Sequence, residues 1–288
     1  MFNKLVIVAQ LLDYDDLVIK YAESLSVLGF KEYIIVKNLV ARTDRKIEVA
    51  EGTRIYESSD YLNKIGIKTE IIEVDDIPIK EINDLATKDE KDSLILVGGR
   101  STSLAKRIFE QDFAYNLIQN PAKPIIVMRV KEGKDNSLFS IPREGFNLDG
   151  RILFATDFSD NSYNAFDYVE KLVEKGAKNI TLMHVQDVSV ISPYLDYKLP
   201  EFNKIDSRRL YKMKDRLESR GKTNIDIVLD VGRPFKVITN YISKHNVELL
   251  VMGRQGKGFM KDLFIGSTSN NVAMRADCSV LLVPKKER

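Results

Sequence analysis

Cysteine is almost absent from this chain, and so are the long apolar runs that mark membrane proteins. The single cysteine, Cys278, cannot form an internal disulfide, so a reducing cytoplasm is the expected compartment. No apolar run approaches the roughly 20 residues that a membrane-spanning helix needs. The opening segment, MFNKLVIVAQ, lacks the longer apolar core and the small-residue cleavage site of a signal peptide. These absences predict a cytoplasmic protein that does not enter a membrane.

An excess of one charge is missing as well. The formal net charge is +2, and acids and bases are interleaved along the whole length. A nucleic-acid or membrane-surface binder would carry a basic stripe or tract, so we expect neither kind of partner. The chain has 288 residues, of which 44% are hydrophobic. That length and composition suit about two globular domains with a sizeable core.

An internal repeat divides the chain. The segment KLVIVAQ (4–10) aligns with RILFATD (151–157), and LILVGGRS (94–101) aligns with LLVMGRQG (249–256). The second match continues without a gap for about 35 residues. The two matches need offsets of 147 and 155 residues, so the second copy carries about eight extra residues in its middle. Self-similarity of this kind indicates two copies of one architecture.

The repeat fixes the predicted domain boundaries. We expect one domain at 1–130, a linker at 131–149 and a second domain at 150–288. The linker sequence, KEGKDNSLFSIPREGFNLD, is rich in polar residues, glycine and proline.

Each copy is predicted to alternate strands and helices. In the second copy, helical spacing covers 161–175 and 208–220, and Pro234 opens a third helix. Short apolar runs typical of strands buried on both faces occur at 151–156, 179–185, 224–230, 248–252 and 279–283. Such alternation implies right-handed crossovers. We therefore expect an α/β fold with two tandem Rossmann-like domains. Each holds a five-stranded parallel sheet of order 3-2-1-4-5 with helices on both faces.

A glycine-rich loop follows the fourth strand of the second copy. Gly253, Gly256 and Gly258 leave the strand, and Gly266 precedes the hydroxyl run 267–269 at the start of a helix. Such glycines indicate either close approach of the backbone to another group or a positive φ. Hydroxyl residues are favoured at helix N-caps, where free N–H groups form an anion site. The pattern fits a phosphate cradle, and it also fits a mobile loop with an ordinary serine cap.

A carboxylate at the end of the first strand favours the phosphate cradle. With strand order 3-2-1-4-5, ligands bind between the first and fourth strands, beyond their carboxyl ends. Asp157 ends the first strand there, and it can accept hydrogen bonds from a ribose hydroxyl or a base amine. Alone, such a residue is more often a helix-capping acid. Together with the loop it indicates a nucleotide site.

The second copy resembles a universal stress protein domain, and the whole chain resembles the tandem members of that family. The ATP-binding members carry Gly, two residues, Gly, nine residues, then Gly followed by Ser or Thr. Gly253, Gly256, Gly266 and Ser267 match this spacing. ILFATDFSDNS and LMHVQD are also similar to the family. The resemblance is strong in the second copy and weaker in the first, and it implies an adenine nucleotide alpha hydrolase-like fold.

The resemblance also implies the ligand and its contacts. The ligand is ATP, AMP or ADP, alone or with Mg²⁺. Asp157 holds the ribose or adenine beside Thr156, the backbone of Val185 meets adenine, and 253–257 wrap the phosphates. The implied nucleotide-binding residues are Ala155, Thr156, Asp157, Val185, Met252, Gly253, Arg254, Gln255, Gly256, Lys257, Gly266, Ser267, Thr268 and Ser269.

The two histidines lie outside this set. His184 ends an apolar strand and has no partnering Cys or Ser signature, so we assign it a structural role rather than that of a catalytic base. His245 lies in the tail of a helix and is expected at the surface.

The first copy departs from the motif. Gln10 stands for Asp157, Ser101 for Gly256, and 111–112 (Gln-Asp) for Gly266 and Ser267. An aspartate there would repel phosphate oxygens. We therefore expect nucleotide in the C-terminal domain only.

The first copy then supplies a partner surface. The last strands, 124–129 and 279–284, are apolar and lie at sheet edges under the proposed order, and such edges need cover. We expect them to pair as an intrachain pseudo-dimer. The family resemblance points the same way, because single-domain members dimerise through this strand. Whether two chains also form a homodimer is left open by the sequence.

Three functions are compatible with these features. The leading one is an ATP-binding regulatory or stress-response protein. The second is an enzyme on the same fold, a slow ATPase or a nucleotidyl or phosphoryl transferase. A Walker lysine motif, a HIGH-type signature and an SGGxDS-type loop are absent, and no paired carboxylates mark a two-metal site, so we assign no catalytic residue. The third is a scaffold that ignores nucleotide, which the intact loop disfavours. The protein partner is not identified by the sequence.

Overall fold

A computed structural model describes most of the chain. The described residues are 2–9, 14–38, 45–74, 79–88, 92–100, 113–132, 139–140, 145–191, 194, 196–256 and 265–285. The chain divides into two compact units, Met1–Phe146 and Asn147–Arg288. Within these ranges, no helix combines the length and the apolar character needed to cross a membrane.

The N-terminal unit alternates strands and helices around a parallel sheet. Its elements are β1 (Lys4–Ala9), α1 (Asp15–Ser24), β2 (Glu32–Asn38), α2 (Arg45–Lys64), β3 (Lys68–Val74), α3 (Ile79–Thr87), β4 (Ser93–Arg100), α4 (Phe113–Gln119), β5 (Ile125–Glu132) and β6 (Phe139–Ser140). The strand order is β3-β2-β1-β4-β5, with every neighbour parallel. The short β6 pairs antiparallel with β5.

The C-terminal unit repeats this plan. Its elements are β7 (Arg151–Thr156), α5 (Asp160–Glu174), β8 (Asn179–Asp187), α6 (Val188–Ile191), α7 (Leu199–Glu218), β9 (Asn224–Gly232), α8 (Pro234–His245), β10 (Val247–Gly253), α9 (Ser267–Arg275) and β11 (Ser279–Val283). The strands run in the order β9-β8-β7-β10-β11, again all parallel. The predicted α/β fold and strand order are confirmed.

The pairing registers of the two units correspond. Leu5 faces Leu94 between β1 and β4, and the aligned Ile152 faces Leu249 between β7 and β10. The central strands are apolar because helices cover both faces, and all residues of β1 and β10 are buried. The alignment of the two copies therefore describes equivalent backbone positions in the two units.

Two local predictions were incomplete. Helix α7 begins at Leu199, well before the predicted start at 208, because Pro200 occupies a first-turn position that proline favours. Four further helical residues, Val188–Ile191, follow β8 directly. The extra residues of the second copy thus lie between β8 and α7, where the first copy has the shorter connection from β2 to α2.

Candidate functional site

A cavity of about 570 Å³ lies beyond the carboxyl ends of β7, β8 and β10. This is the predicted position, because β7 and β10 are the neighbours at which the strand order reverses. The residues that line it are Ala155, Thr156, Asp157, Ser162, Met183, His184, Val185, Gln186, Asp187, Ile191, Phe202, Asp206, Pro234, Ile238, Met252, Gly253, Gln255, Gly256, Gly266, Ser267, Thr268 and Ser269.

The turn after β7 fixes the carboxylate of Asp157. Its Oδ1 accepts hydrogen bonds from the backbone N–H of Ser159 at 3.0 Å and from the Ser159 hydroxyl at 2.6 Å. Ser159 is also the N-cap of α5, where its oxygen accepts from the N–H of Ser162. The intervening Phe158 has φ 58°, and its N–H donates to the Thr156 hydroxyl at 2.9 Å. The turn therefore holds the second carboxylate oxygen of Asp157 toward the loop after β10.

Close approach of neighbouring groups explains two of the loop glycines, Gly253 and Gly256. A β-carbon on Gly256 would lie 2.6 Å from Oδ2 of Asp157, and one on Gly253 would lie 3.1 Å from the backbone of Asn161. Neither glycine has a left-handed φ, and Gly266 has φ −61°. Of the two explanations that the sequence allowed, the structure shows close approach rather than positive φ. The Asn161 amide also donates to the carbonyl of Gln255 at 3.1 Å.

The N-terminus of α9 opens onto the same cavity. Its N-cap is Gly266, not one of the hydroxyl residues, and no side chain caps the first turn. The first N–H groups of a helix lack partners within the helix, and the helix dipole favours an anion there. The hydroxyl of Ser269 donates instead to the carbonyl of Gly253 at 2.8 Å, and the N–H of Gly266 donates to the carbonyl of Arg254 at 2.9 Å. These bonds hold the loop against the helix.

Twelve of the fourteen predicted site residues line the cavity. Arg254 does not: its side chain is buried, and its backbone N–H donates to the carbonyl of Val283 at 2.8 Å. Lys257 lies outside the described residues. In the first copy, Gln10, Ser101 and the pair at 111–112 also lie outside them.

The sequence did not indicate a polar cluster on one wall. Gln186 donates from Nε2 to Oδ2 of Asp206 at 3.0 Å, and Nδ1 of His184 lies 2.7 Å from the carbonyl oxygen of Thr156. The spacing of His184 and Gln186 on a strand places them on one face, which was a usable signal. Asp206 was missed because the predicted helix began after it.

The predicted structural role of His184 stays a prediction, although the residue lines the cavity. His245 ends α8 and is exposed, as expected.

The described residues contain no group of three or more His, Cys, Asp or Glu side chains that could hold a metal ion. A Mg²⁺ ion that accompanies a nucleotide keeps several waters and binds mainly to phosphate oxygens, so it needs no such group.

Comparisons with known proteins agree on one family. A sequence profile described as the universal stress protein family matches residues 150–284. A universal stress protein of Thermus aquaticus is 32% identical over 137 residues, which cover 46% of this chain and 96% of that protein. One from Methanocaldococcus jannaschii is 26% identical over 154 residues, which cover 47% of this chain and 95% of that protein.

A solved structure is similar over almost the entire chain. It is the crystal structure of a universal stress protein from Archaeoglobus fulgidus, which is 20% identical with a TM-score of 0.65. The match covers 99% of this chain and 97% of that chain. At this identity the similarity concerns the fold.

Proposed function

The chain belongs to the universal stress protein family, and from that premise we propose that its C-terminal unit binds ATP or another adenine nucleotide. Occupancy of this site would set the conformation or the partners of a regulatory, stress-response protein in the cytoplasm. The observation that carries the proposal is the convergence of three elements on one cavity of about 570 Å³. These elements are the Asp157 carboxylate, the backbone of the glycine loop and the first turn of α9.

Each element suits one part of a nucleotide. The fixed carboxylate of Asp157 can accept hydrogen bonds from ribose hydroxyls or a base amine. The uncapped first turn of α9 supplies N–H groups and a dipole for phosphate. Apolar side chains, among them Ile191, Phe202 and Ile238, line the same cavity and can cover a purine ring. The volume lies within the range of small-molecule sites, roughly 300–1,000 Å³.

We also propose that the N-terminal unit does not bind nucleotide tightly. Gly98 is aligned with Gly253, but a β-carbon there would lie 2.7 Å from the ring of Tyr14. Tyr14 is buried and aligned with Asn161, whose amide holds the loop in the C-terminal unit. The aromatic ring therefore occupies the space beside the strand where the second copy positions its loop.

Lys37 supports the same proposal. It pairs with Ala9 across β1 and β2, as His184 pairs with Thr156 across β7 and β8. Its ammonium lies 3.1 Å from the Glu73 carboxylate, which also accepts a hydrogen bond from Tyr56. A charged pair thus stands where the C-terminal unit has its cavity wall.

Mass spectrometry of the purified protein for retained nucleotide tests the proposal, together with calorimetry using ATP. We expect one adenine nucleotide per chain. Two tight equivalent sites would contradict the restriction to the C-terminal unit, and no binding would favour the scaffold alternative. The enzyme alternative is separated by measuring ATP turnover in the wild type and in Gly256→Val. Turnover that the substitution abolishes would indicate a slow ATPase or a transferase.

A further inference from the structure

Asp206, on α7, joins two side chains of β8. Its Oδ2 accepts a hydrogen bond from Gln186 at 3.0 Å and lies 3.5 Å from Nε2 of His184. Its Oδ1 accepts from Arg209 at 3.2 Å. Asp206 is 8% exposed and Gln186 is 3% exposed, so these contacts are largely shielded from water. Helix and strand are therefore tied together beside the cavity by a single carboxylate.

The contacts of His184 define its protons. Nδ1 lies 2.7 Å from the carbonyl oxygen of Thr156, which only accepts, so Nδ1 carries a hydrogen. Nε2 faces the carboxylate of Asp206. In the neutral ring, the Nε2 lone pair would face that negative charge. In the imidazolium form both nitrogens donate, and the nearby carboxylate favours the positive charge.

The other groups around His184 do not reverse this preference. The ring of Phe158 packs against the imidazole with centroids 4.5 Å apart. The guanidinium of Arg209, also on α7, lies 5.1 Å from the centre of the Phe158 ring. Its side chain is 44% exposed and already bonded to Asp206. Asp157, after β7, adds a second negative group at the cavity. On β8 itself, Gln186 is neutral and Asp187 accepts from Ser189.

His184 stands between the two backbone positions that the proposed nucleotide uses. It holds the carbonyl of Thr156, the residue before Asp157, and Val185 follows it directly on β8. We propose that Asp206 is a positioning residue for the nucleotide site, which holds His184 as imidazolium and so couples nucleotide affinity to that proton. This inference rests on the proposed function of the C-terminal unit.

The sign of the coupling follows from the ion pair. Removal of the Nε2 proton as the pH rises through the titration of His184 breaks the pair with Asp206, while Nδ1 keeps its bond to the Thr156 carbonyl. The imidazole then loses its anchor on α7 and no longer fixes Thr156 and Val185 relative to that helix. Nucleotide affinity should therefore fall with rising pH. By reciprocity, bound nucleotide should shift the loss of the His184 proton to higher pH.

Two measurements on the full chain test the coupling. Since the chain has 2 histidines, NMR resolves both imidazoles, and His245→Gln assigns them. The titration of His184 is followed between about pH 5.5 and 8.5, the range in which histidines change charge. The variants are Asp206→Asn, His184→Asn, which keeps a donor for Thr156, and the control Asp226→Asn. Asp226 forms an ion pair with Arg151 and does not line the cavity.

The second measurement is the affinity for ATP over the same pH range. ATP itself changes protonation over this pH range, and it does so equally for all variants. The ratio of each variant's affinity to that of the Asp226→Asn control therefore reports only the contribution of the protein. We expect Asp206→Asn to weaken binding about tenfold at low pH, the scale of one lost hydrogen bond to a charged group, and to leave little pH dependence. His184→Asn should remove the pH dependence too. In Asp206→Asn, His184 should lose its proton at lower pH.

Other outcomes would overturn the inference. A uniform loss of affinity in Asp206→Asn, with the wild-type pH profile retained, would mean a structural role only. An unchanged His184 titration in that variant would show that Asp206 does not hold the imidazolium. If the wild type binds none of ATP, ADP and AMP, the proposed function is wrong and the coupling falls with it. The NMR titration still reports separately whether the ion pair exists.

Discussion

The Oδ2 atom of Asp157 lies 2.6 Å from the point where a β-carbon on Gly256 would stand. A contact this short cannot be accommodated without movement, and the carboxylate is held by two hydrogen bonds to Ser159. The loop after β10 and the turn after β7 are therefore coupled at this point.

The first prediction is a double-mutant cycle between these residues. Gly256→Ala should weaken ATP binding because it displaces the carboxylate, and Asp157→Ala should weaken it by about 1–3 kcal/mol, the scale of a lost charge-assisted hydrogen bond. Combined, they should cost less than the sum of the single losses, because the second change removes the clash. Calorimetry on the four proteins measures this. Additive losses would show that Gly256→Ala weakens binding through a contact other than the one with the Asp157 carboxylate.

The second prediction concerns the bond between α9 and the loop. Ser269→Ala removes a buried donor to the Gly253 carbonyl, so ATP affinity should fall about fivefold, corresponding to about 1 kcal/mol. Ser243→Ala is the control, because that hydroxyl makes an exposed bond to Thr239 at 3.2 Å within α8. Calorimetry should show no change for the control. Equal effects in the two variants would contradict a specific role of Ser269.

The third prediction concerns the stability of the N-terminal unit at alkaline pH. Tyr33 is fully buried and donates to the Ala22 carbonyl at 2.7 Å, and burial, with a smaller contribution from Glu23, raises the pKa of its hydroxyl. Above about pH 10 the unfolded side chain ionises while the native one stays protonated, so wild-type stability falls. The advantage over Tyr33→Phe, about 1 kcal/mol near neutrality, should therefore shrink.

Urea unfolding at about pH 7 and pH 10.5 measures this difference. The control is Tyr61→Phe, in the same unit with a side chain that is 50% exposed. Its effect should be small, because the side chain is half exposed. A Tyr33→Phe effect that grows with pH would reverse the assigned sign.

The fourth prediction concerns the last strands, 124–129 and 279–284, whose pairing stays a prediction from the sequence. The C-terminal half expressed alone should dimerise or aggregate, because its apolar last strand would need cover. Light scattering measures the assembly. A stable soluble monomer would contradict the prediction.

The sequence was sufficient for those features that depend on local pattern. Apolar runs predicted the strands of the C-terminal unit, and the glycine spacing indicated the loop that closes the cavity. Features that depend on tertiary packing were missed. Asp206 precedes the segment in which helical spacing is evident, and its role depends on two side chains of a strand. Gly266 is the N-cap of α9, because Ser267 already lies within the helix, and the hydroxyl of Ser269 donates to the Gly253 carbonyl rather than to the helix end.

Phe158 introduces backbone strain into the turn after β7. A phenylalanine with φ 58° occupies a backbone region that costs an L-residue roughly 1–2 kcal/mol, so the turn is strained. Its ring is braced by His184 on one strand and by Arg209 on α7. Loss of either contact would remove part of the packing that holds Phe158 in this conformation, next to the Asp157 carboxylate. A displacement of α7 would therefore change the packing around Phe158 and, through it, the surroundings of Asp157 at the mouth of the cavity.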